Sequence, residues 1–334
     1  MAVTESAEQG YEELILGFLA DGGEDFTSGE ALSDKLGLSR TAVWKHVEAL
    51  RGKGYRIDAQ PARGYRLVDM PDRVSGLEIS PLLSTHHLGQ TIHFHESLPS
   101  TNTLAFQLAA DGAEHGEVVI TEQQTAGKGR RGRTWVSPAG KNLYFSAILR
   151  PELPPQRASE LTLVAAVALA EELREAGADA QIKWPNDVLV EGRKVAGILT
   201  ELSAEPDQVH FVVLGVGVNL NTGPEDWPAE LADTATSLAR VTDERVHRAL
   251  FTASLWNRLE EWLDLHHEVG FEPVRERWKE LSCTVGQEVR VHTGRSELRG
   301  VAEDIDVDGA LRVRTEGGKV ERVLAGDVEQ VRPR

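Results

Sequence analysis

Between Gln123 and Trp135 the chain reads QQTAGKGRRGRTW, in which Lys128, Arg130, Arg131 and Arg133 put four cations into six residues among Gly127, Gly129 and Gly132. A segment so polar and glycine-rich packs into no core. Glycine lets backbone N–H groups approach an anion closely, and arginine forks spread over several of its oxygens. The three glycines fit G-x-G-x-x-G, but the following WVSPAGKN holds Pro138 and Gly140 and cannot open the helix that a dinucleotide motif requires. Neither Gly127-Lys128 nor Gly140-Lys141 is followed by Ser or Thr, so a Walker-type phosphate loop is excluded. The expected occupant is a small anionic substrate, with an RNA-contacting loop or a solvated turn as alternatives.

Two further patches suit the same kind of ligand. Lys183-Trp184-Pro185-Asn186-Asp187 ends one strand with a polar pair, and Arg193-Lys194-Val195-Ala196-Gly197 opens the next after a tight turn, so both reach one rim. Gly215-Val216-Gly217-Val218-Asn219 closes another strand with small residues that permit close ligand approach and an amide able to read a base edge. Taken singly, each is an ordinary turn or strand edge. The histidines, His86-His87, His93, His95 and His266-His267 among them, show no zinc spacing, and core or surface positions are expected for them. Trp256, Trp262 and Trp278 recur with Leu255, Leu259 and Leu263 at helical spacing, which reads as core.

The elements that must hold these groups fall into three zones. The chain has 334 residues, 40% of them apolar, with 36 Lys and Arg against 53 Asp and Glu, a formal charge of -17. That length supports two or three cores, and that charge rules out a protein that coats polyanions along its whole surface. Residues 27–68 differ: eight basic residues face four acidic ones, a basic module on an acidic body. Acid enrichment with scarce lysine is also the composition of proteins adapted to concentrated salt. One cysteine, Cys283, excludes an internal disulfide and fits a reducing compartment. With no leader-like start and no apolar run of membrane-spanning length, a cytoplasmic protein is expected.

Leu14, Ile15, Phe18 and Leu19 stripe an opening helix that Gly22-Gly23 ends. Thr27 and Glu30 have capping-box spacing for a second helix, and Ser39 caps a third whose Val43, Val47 and Leu50 face inward. This helix-turn-helix leaves Arg40, Thr41, Trp44 and Lys45 outward where a recognition helix reads the major groove. YRIDA and GYRLV then form a hairpin wing with Arg63 at its tip. DNA binding is the reading, and a protein-docking module the alternative. From about Leu77 to Leu281, strand-like runs alternate with helical patterns at 103–111, 158–176 and 249–267, and hairpin-sized gaps argue for an α+β domain with a largely antiparallel or mixed sheet. The last zone, from Ser282, has short strands and turns expected to form a small β-barrel. The domain limits are thus 1–72, 76–281 and 282–334.

S-T-N at 100–102, G-K-G-R-R-G-R-T-W at 127–135, K-W-P-N-D at 183–187, G-R-K-V-A-G-I-L at 192–199 and G-V-G-V-N at 215–219 resemble, in order and spacing, the biotin-protein ligases. With the winged module ahead of them, the chain is similar to the bifunctional form, a biotin operon repressor and biotin-[acetyl-CoA-carboxylase] ligase. The resemblance implies a class II synthetase-like ligase domain, an SH3-like C-terminal barrel, and a reaction in which biotin and ATP, with Mg2+ on the phosphates, give biotinyl-5'-AMP before a carrier-protein lysine takes the biotin.

Carried over, it implies that Ser100, Thr101, Asn102 and Gln124 hold biotin, and that the Gly127, Lys128, Gly129, Arg130 and Arg133 flap covers carboxylate and adenylate with Trp135 as a wall. Lys128 stands where arginine is common. Lys194 and Gly197 meet the carboxylate and phosphate, Asn219 reads adenine, and Asp187 takes the proton of the incoming amine; Arg130, Lys194 and Asp187 are the catalytic set, with no protein-bound metal. Flap ordering on the adenylate would build a homodimer whose two recognition helices lie one helical turn, roughly 34–36 Å, or a multiple apart on a palindromic operator. Biotin carboxyl carrier protein is the acceptor and competes for the same face. The rivals are a ligase whose winged module binds no operator and a lipoyl-type acyl ligase.

Overall fold

Ile15, Leu16 and Leu19 line one face of the first helix, α1 (Ala2–Asp21), and are fully buried. Leu14, expected inside, faces solvent, and Leu16 takes the inward position. The computed structural model describes residues 2–23, 25–293 and 297–330. It divides into two units, Met1–Ser84 with His247–Ser254, and Thr85–Val246 with Leu255–Arg334.

In the first unit α2 (Gly29–Leu36) is capped by Ser28, whose Oγ accepts the Ala31 N–H at 3.0 Å. Thr27, the expected cap, belongs to the wing instead: its N–H donates to Tyr65 O at 2.8 Å and its carbonyl accepts from Tyr65 N at 2.9 Å. Glu30 consequently pairs with Arg40 at 3.0 Å rather than folding back on Thr27. In α3 (Arg40–Gly52), Ser39 caps and Val43, Val47 and Leu50 are buried, as their spacing requires. β1 (Arg56–Gln60) and β2 (Gly64–Asp69) form the antiparallel wing. Gly64, at φ 111°, lies so close to the Thr27 backbone that any Cβ would collide with it. In α4 (Gly76–Ile79) the buried Glu78 accepts the Tyr55 hydroxyl at 2.8 Å; burial, then that carboxylate, pushes the phenol's pKa up and keeps it a donor.

The second unit runs β3 (Ile92–His95), α5 (Thr101–Ala110), β4 (Val118–Thr121), β5 (Leu143–Leu149), α6 (Glu160–Glu175), β6 (Ala180–Lys183), β7 (Asp187–Val190), β8 (Arg193–Ala204), β9 (Val209–Val218) and α7 (Leu238–Thr242). Then come α8 (Arg248–Val269), which belongs to this unit from Leu255 on, and α9 (Glu272–Leu281). Its seven strands are ordered β3-β4-β5-β9-β8-β7-β6. Only β3 and β4 run parallel, which is the mixed α+β sheet expected. Strand alternation puts helices on both faces: Ser146 and Ile148 of β5 turn toward α5, while Phe145 meets Trp256 of α8 at 5.4 Å between ring centroids.

β10 (Glu288–His292), β11 (Glu297–Ile305), β12 (Leu311–Thr315), β13 (Val320–Val323) and β14 (Asp327–Gln330) form a five-stranded antiparallel sheet in the order β13-β12-β11-β10-β14. This corrects the expectation of a closed SH3-like barrel, because no ladder joins the outer strands β13 and β14. The link between them, Leu324 to Gly326, spans at most roughly 14 Å. The outer strands of a flat five-stranded sheet would stand roughly 19 Å apart. The sheet therefore curls, but four-residue outer strands stop short of closing it. Among the described residues no helix is long and apolar enough to cross a membrane.

Candidate functional site

The strand register builds the site. Asp187 of β7 lies opposite Gly197 of β8, Gly197 opposite Gly217 of β9, and Gly217 opposite Tyr144 of β5. Two neighbouring positions in that row carry no side chain, so a trough crosses the sheet on the α5 side. The Trp135 indole fills it: a Cβ on Gly217 would sit 2.6 Å from the ring, and one on Gly197 3.2 Å. Gly215 gives the same room to Asn102. These glycines therefore admit protein side chains, where the sequence suggested that they admit ligand.

At the start of α5, Gln124 Oε1 accepts the Thr101 N–H at 2.9 Å, while its Nε2 donates to Ser137 Oγ at 3.1 Å. Asn102 is saturated: its Nδ2 donates to Leu199 O at 3.1 Å and Glu201 Oε2 at 2.9 Å, and its Oδ1 accepts the Ser146 hydroxyl at 2.6 Å. Ser100 is buried and its hydroxyl makes no cap bond to α5.

The flap is an ordered hairpin. Lys128 bridges Thr134, Gly129 N–H donates to Arg133 O at 2.6 Å and Trp135 N–H to Gly127 O at 2.9 Å. Arg131, at φ 56°, and Gly132, at φ 76°, turn it through left-handed backbone. Lys128 points to solvent. Arg130 reaches inward and donates to Asn186 Oδ1 at 3.0 Å. Burial pushes its guanidinium pKa down, with Asp327 pulling the other way, so a second anion would relieve it. Lys194 pairs with Asp187 at 2.6 Å, and its ammonium lies 5.2 Å from the Trp135 ring centroid.

Two cavities meet at this pair. One, about 320 Å³, is lined by Trp135, Lys183, Asp187, Lys194, Asn219 and Trp227. Asn219 Nδ2 donates to Thr236 O at 3.1 Å, which fixes the amide. The other, about 340 Å³, is lined by Arg130, Lys183, Asn186, Asp187, Lys194 and Asp327. A basic, indole-walled cleft of this kind holds an anion beside a flat ring. Among the described residues no three His, Cys, Asp or Glu are grouped to hold a metal.

Sequence reasoning missed five contributors. Lys183 lines both cavities and was visible only as part of its motif. Trp227 and Leu231 come from an irregular segment with no periodic signal. Ser137 needs the fold to meet Gln124, and Asp327 arrives from the C-terminal sheet.

In the first unit Arg40, Thr41, Trp44 and Lys45 are exposed on the N-terminal part of α3, Trp44 at 52%. Arg63 is exposed at the wing tip, 4.4 Å from the Phe26 ring. A groove of about 490 Å³, lined by Arg40, Glu30 and Arg63 among others, opens between helices and wing.

Known proteins match in the same order along the chain. The Biotin/lipoate A/B protein ligase family matches residues 94–219, an HTH domain residues 12–66 and the Biotin protein ligase C terminal domain residues 284–330. The bifunctional ligase/repressor BirA of Bacillus subtilis is 40% identical over 316 residues, 94% of this chain and 97% of that protein. The protein of the same name from Escherichia coli is 33% identical over 311 residues, 91% of this chain and 92% of that one. The structure of biotin protein ligase from Aquifex aeolicus in complex with biotin and ATP superposes with a TM-score of 0.63 at 27% identity, covering 73% of this chain and all of that one.

Proposed function

We infer what the cleft does from the premise that this chain belongs to the biotin-protein ligase family, in the bifunctional ligase/repressor form with an N-terminal helix-turn-helix domain. It is an ATP-dependent biotin-protein ligase that forms biotinyl-5'-AMP and transfers biotin to a lysine of biotin carboxyl carrier protein, and a biotin-responsive repressor. One cysteine and ATP as a substrate support a cytoplasmic place of action.

In the first step a biotin carboxylate oxygen attacks the α-phosphorus of ATP and pyrophosphate leaves. Anion meets anion, so preorganised cations carry the catalysis. Arg130 and Lys194, on the rim of one cavity beside Asp187, are the observation that carries this reading. Ser100, Thr101 and Gln124 receive the ureido head, Trp135 walls the acyl chain, and Asn219 reads adenine beside Trp227. Gly127 and Gly129 supply close backbone, and Gly197 makes room for Trp135 and Lys194. Lys128 and Arg133 add charge at the flap, and Asn102 braces the biotin side from within.

Mg2+ enters as the counterion of the ATP phosphates. Asp187 and Asp327 of the cleft are already paired with Lys194 and with the flap arginines, so phosphate oxygens and water would supply most of its ligands. In the second step the carrier lysine attacks the acyl carbon and AMP leaves. Asp187 takes the amine proton once Lys194 turns to the phosphate.

For repression, α3 enters the major groove with Arg40, Thr41, Trp44 and Lys45 while Arg63 meets the backbone from the wing, and adenylate binding assembles the homodimer that reads a palindrome. The domains are then 1–72, 76–281 and 282–334. Incubating the purified chain with biotin, ATP and Mg2+ tests the reading: a retained biotinyl-adenylate and a mass gain of one biotinyl group on carrier protein are expected. Transfer of a lipoyl group instead, or no adenylate, refutes it. Footprinting of DNA upstream of biotin genes, with and without biotin and ATP, tests the repressor role.

A further inference from the structure

Three flap guanidiniums gather on one carboxylate of the C-terminal sheet. Asp327 lies 2.6 Å from Arg133, 3.4 Å from Arg131 and 3.9 Å from Arg130. Carbonyls of β10 and of the β13–β14 link complete the seat: Arg131 donates to His292 O at 2.9 Å and Arg130 to Gly326 O at 3.3 Å. The carboxylate itself is largely shielded, with 21% of the side chain exposed.

The three arginines are not equivalent. Among the described residues, the side-chain hydrogen bonds and ion pairs of Arg131 and Arg133 end on the C-terminal sheet. Arg130 alone also reaches Asn186, at the cavity that holds Asp187 and Lys194. The backbone explains the split, because the left-handed pair Arg131 and Gly132 reverses the chain between Arg130 and Arg133.

We propose that the flap arginines serve two separate roles, in which Arg131 and Arg133 are anchors collected by Asp327, and Asp327 is a positioning residue that aims Arg130 at the reacting phosphate. The assignment rests on the ligase reading and deepens it. Three guanidiniums repel one another, and one carboxylate among them lowers the cost of keeping them together before substrate arrives. Without it the flap must be ordered at the expense of ATP binding. Arg133, which the family pattern sets on the adenylate, is by this assignment a tether.

The test uses the full chain with biotin, ATP and Mg2+. Asp327→Asn is expected to raise KM for ATP about tenfold while kcat of adenylate formation stays within about twofold. Ligand-free, its flap should be cut by trypsin about tenfold faster than wild type, with the unfolding temperature little changed. Asp327→Glu should restore both readouts. Arg133→Gln should reproduce the KM effect, and the double variant should be no worse than either single one. Arg130→Gln should instead lower kcat. Should Asp327→Asn fail to fold, Arg133→Gln carries the same comparison from the other side of the pair. Wild-type KM and cleavage in Asp327→Asn, or additive losses in the double variant, would overturn the assignment. If wild-type protein made no adenylate the ligase reading would fall, and flap cleavage would still decide whether Asp327 anchors it.

Discussion

Gly217→Ala should disable adenylation although Gly217 has no side chain to offer the substrate, because its new Cβ displaces the Trp135 wall. A new Cβ would lie 2.6 Å from Trp135 Cε2 and Nε1. Ordinary carbon contacts begin near 3.5 Å, so the ring has to retreat by about 1 Å. The Gly217 backbone lies in β9 outside the left-handed region, hence alanine adds no backbone strain and the whole effect falls on the indole. Among the described residues Trp135 Nε1 has no hydrogen-bond partner, so packing and the Lys194 ammonium over its face hold the ring against Gly197 and Gly217. Overpacking of this kind costs about 1–3 kcal/mol. A wall displaced by 1 Å beside the reacting atoms costs about 100-fold in rate. The assay is the burst of pyrophosphate on mixing with biotin, ATP and Mg2+, with thermal unfolding alongside. In a Trp135→Ala background, where no ring is left to displace, Gly217→Ala should change the rate less than about twofold. An unimpaired burst in the single variant, or an equal loss in both backgrounds, refutes the packing argument.

Lys194→Ala should slow both half-reactions, by about 100- to 1,000-fold in adenylate formation, seen in single-turnover pyrophosphate release and in transfer from preformed adenylate; a solvated hairpin lysine would give a mild loss in each. Arg40→Ala with Lys45→Ala should weaken operator binding and lower the magnitude of the slope of log K against log salt by about 2 if both contact phosphate; an unchanged slope removes them from the backbone. Lys141→Met tests how the Trp227 segment is held, since Lys141 Nζ lies 2.6 Å from Asp226 Oδ1. Burial works against the Asp226 carboxylate, but the Lys141 and Gly223 hydrogen bonds outweigh it and its pKa is lowered. The pair's stabilisation is then present above the unfolded carboxylate pKa, near 3.9, and lost as pH falls through the lower folded value. The variant should cost about 1 kcal/mol at pH 7 in urea unfolding, a difference that vanishes in acid. A difference that persists there would point to lost packing.

What could be read along the chain was whatever depends on neighbours in sequence. The flap announces itself because four cations among glycines cannot be core, and α3 because Val43, Val47 and Leu50 repeat at helical spacing. What could not be read depends on register. Asn102 stands in a motif of apparent ligand contacts, yet Leu199, Glu201 and Ser146 use its whole amide, and only strand alignment brings them there. Thr27 lost the cap of α2 to Ser28 because Tyr65, far along the chain, competes for its backbone. Closure of the last sheet was misjudged because short strands and tight turns specify antiparallel neighbours but say nothing of whether the first and last edges meet. Lys183, Trp227 and Asp327 reach the cleft from three segments joined only by the fold.

The same topology resolves an apparent conflict in charge. A chain with a net charge of -17 repels nucleotides at long range, yet its reaction requires two anions in contact. Arg130, Lys183 and Lys194 come from a loop and two strand ends, and the carboxylates that share their cavity are Asp187, Asp327 and Glu329. Asp187 is already matched by Lys194, and Asp327 by Arg131 and Arg133 on the outer side. Asp327 is shared among three guanidiniums, so Arg130, 3.9 Å from it, keeps positive charge to spare, and with Lys183 it marks where the phosphates are to lie. Such contact-range attraction survives in strong salt, where the screening length falls to about 3 Å, whereas attraction of DNA to the exposed basic face of α3 does not. In strong salt, adenylation is therefore expected to persist, while any operator binding would have to rest on base contacts by α3.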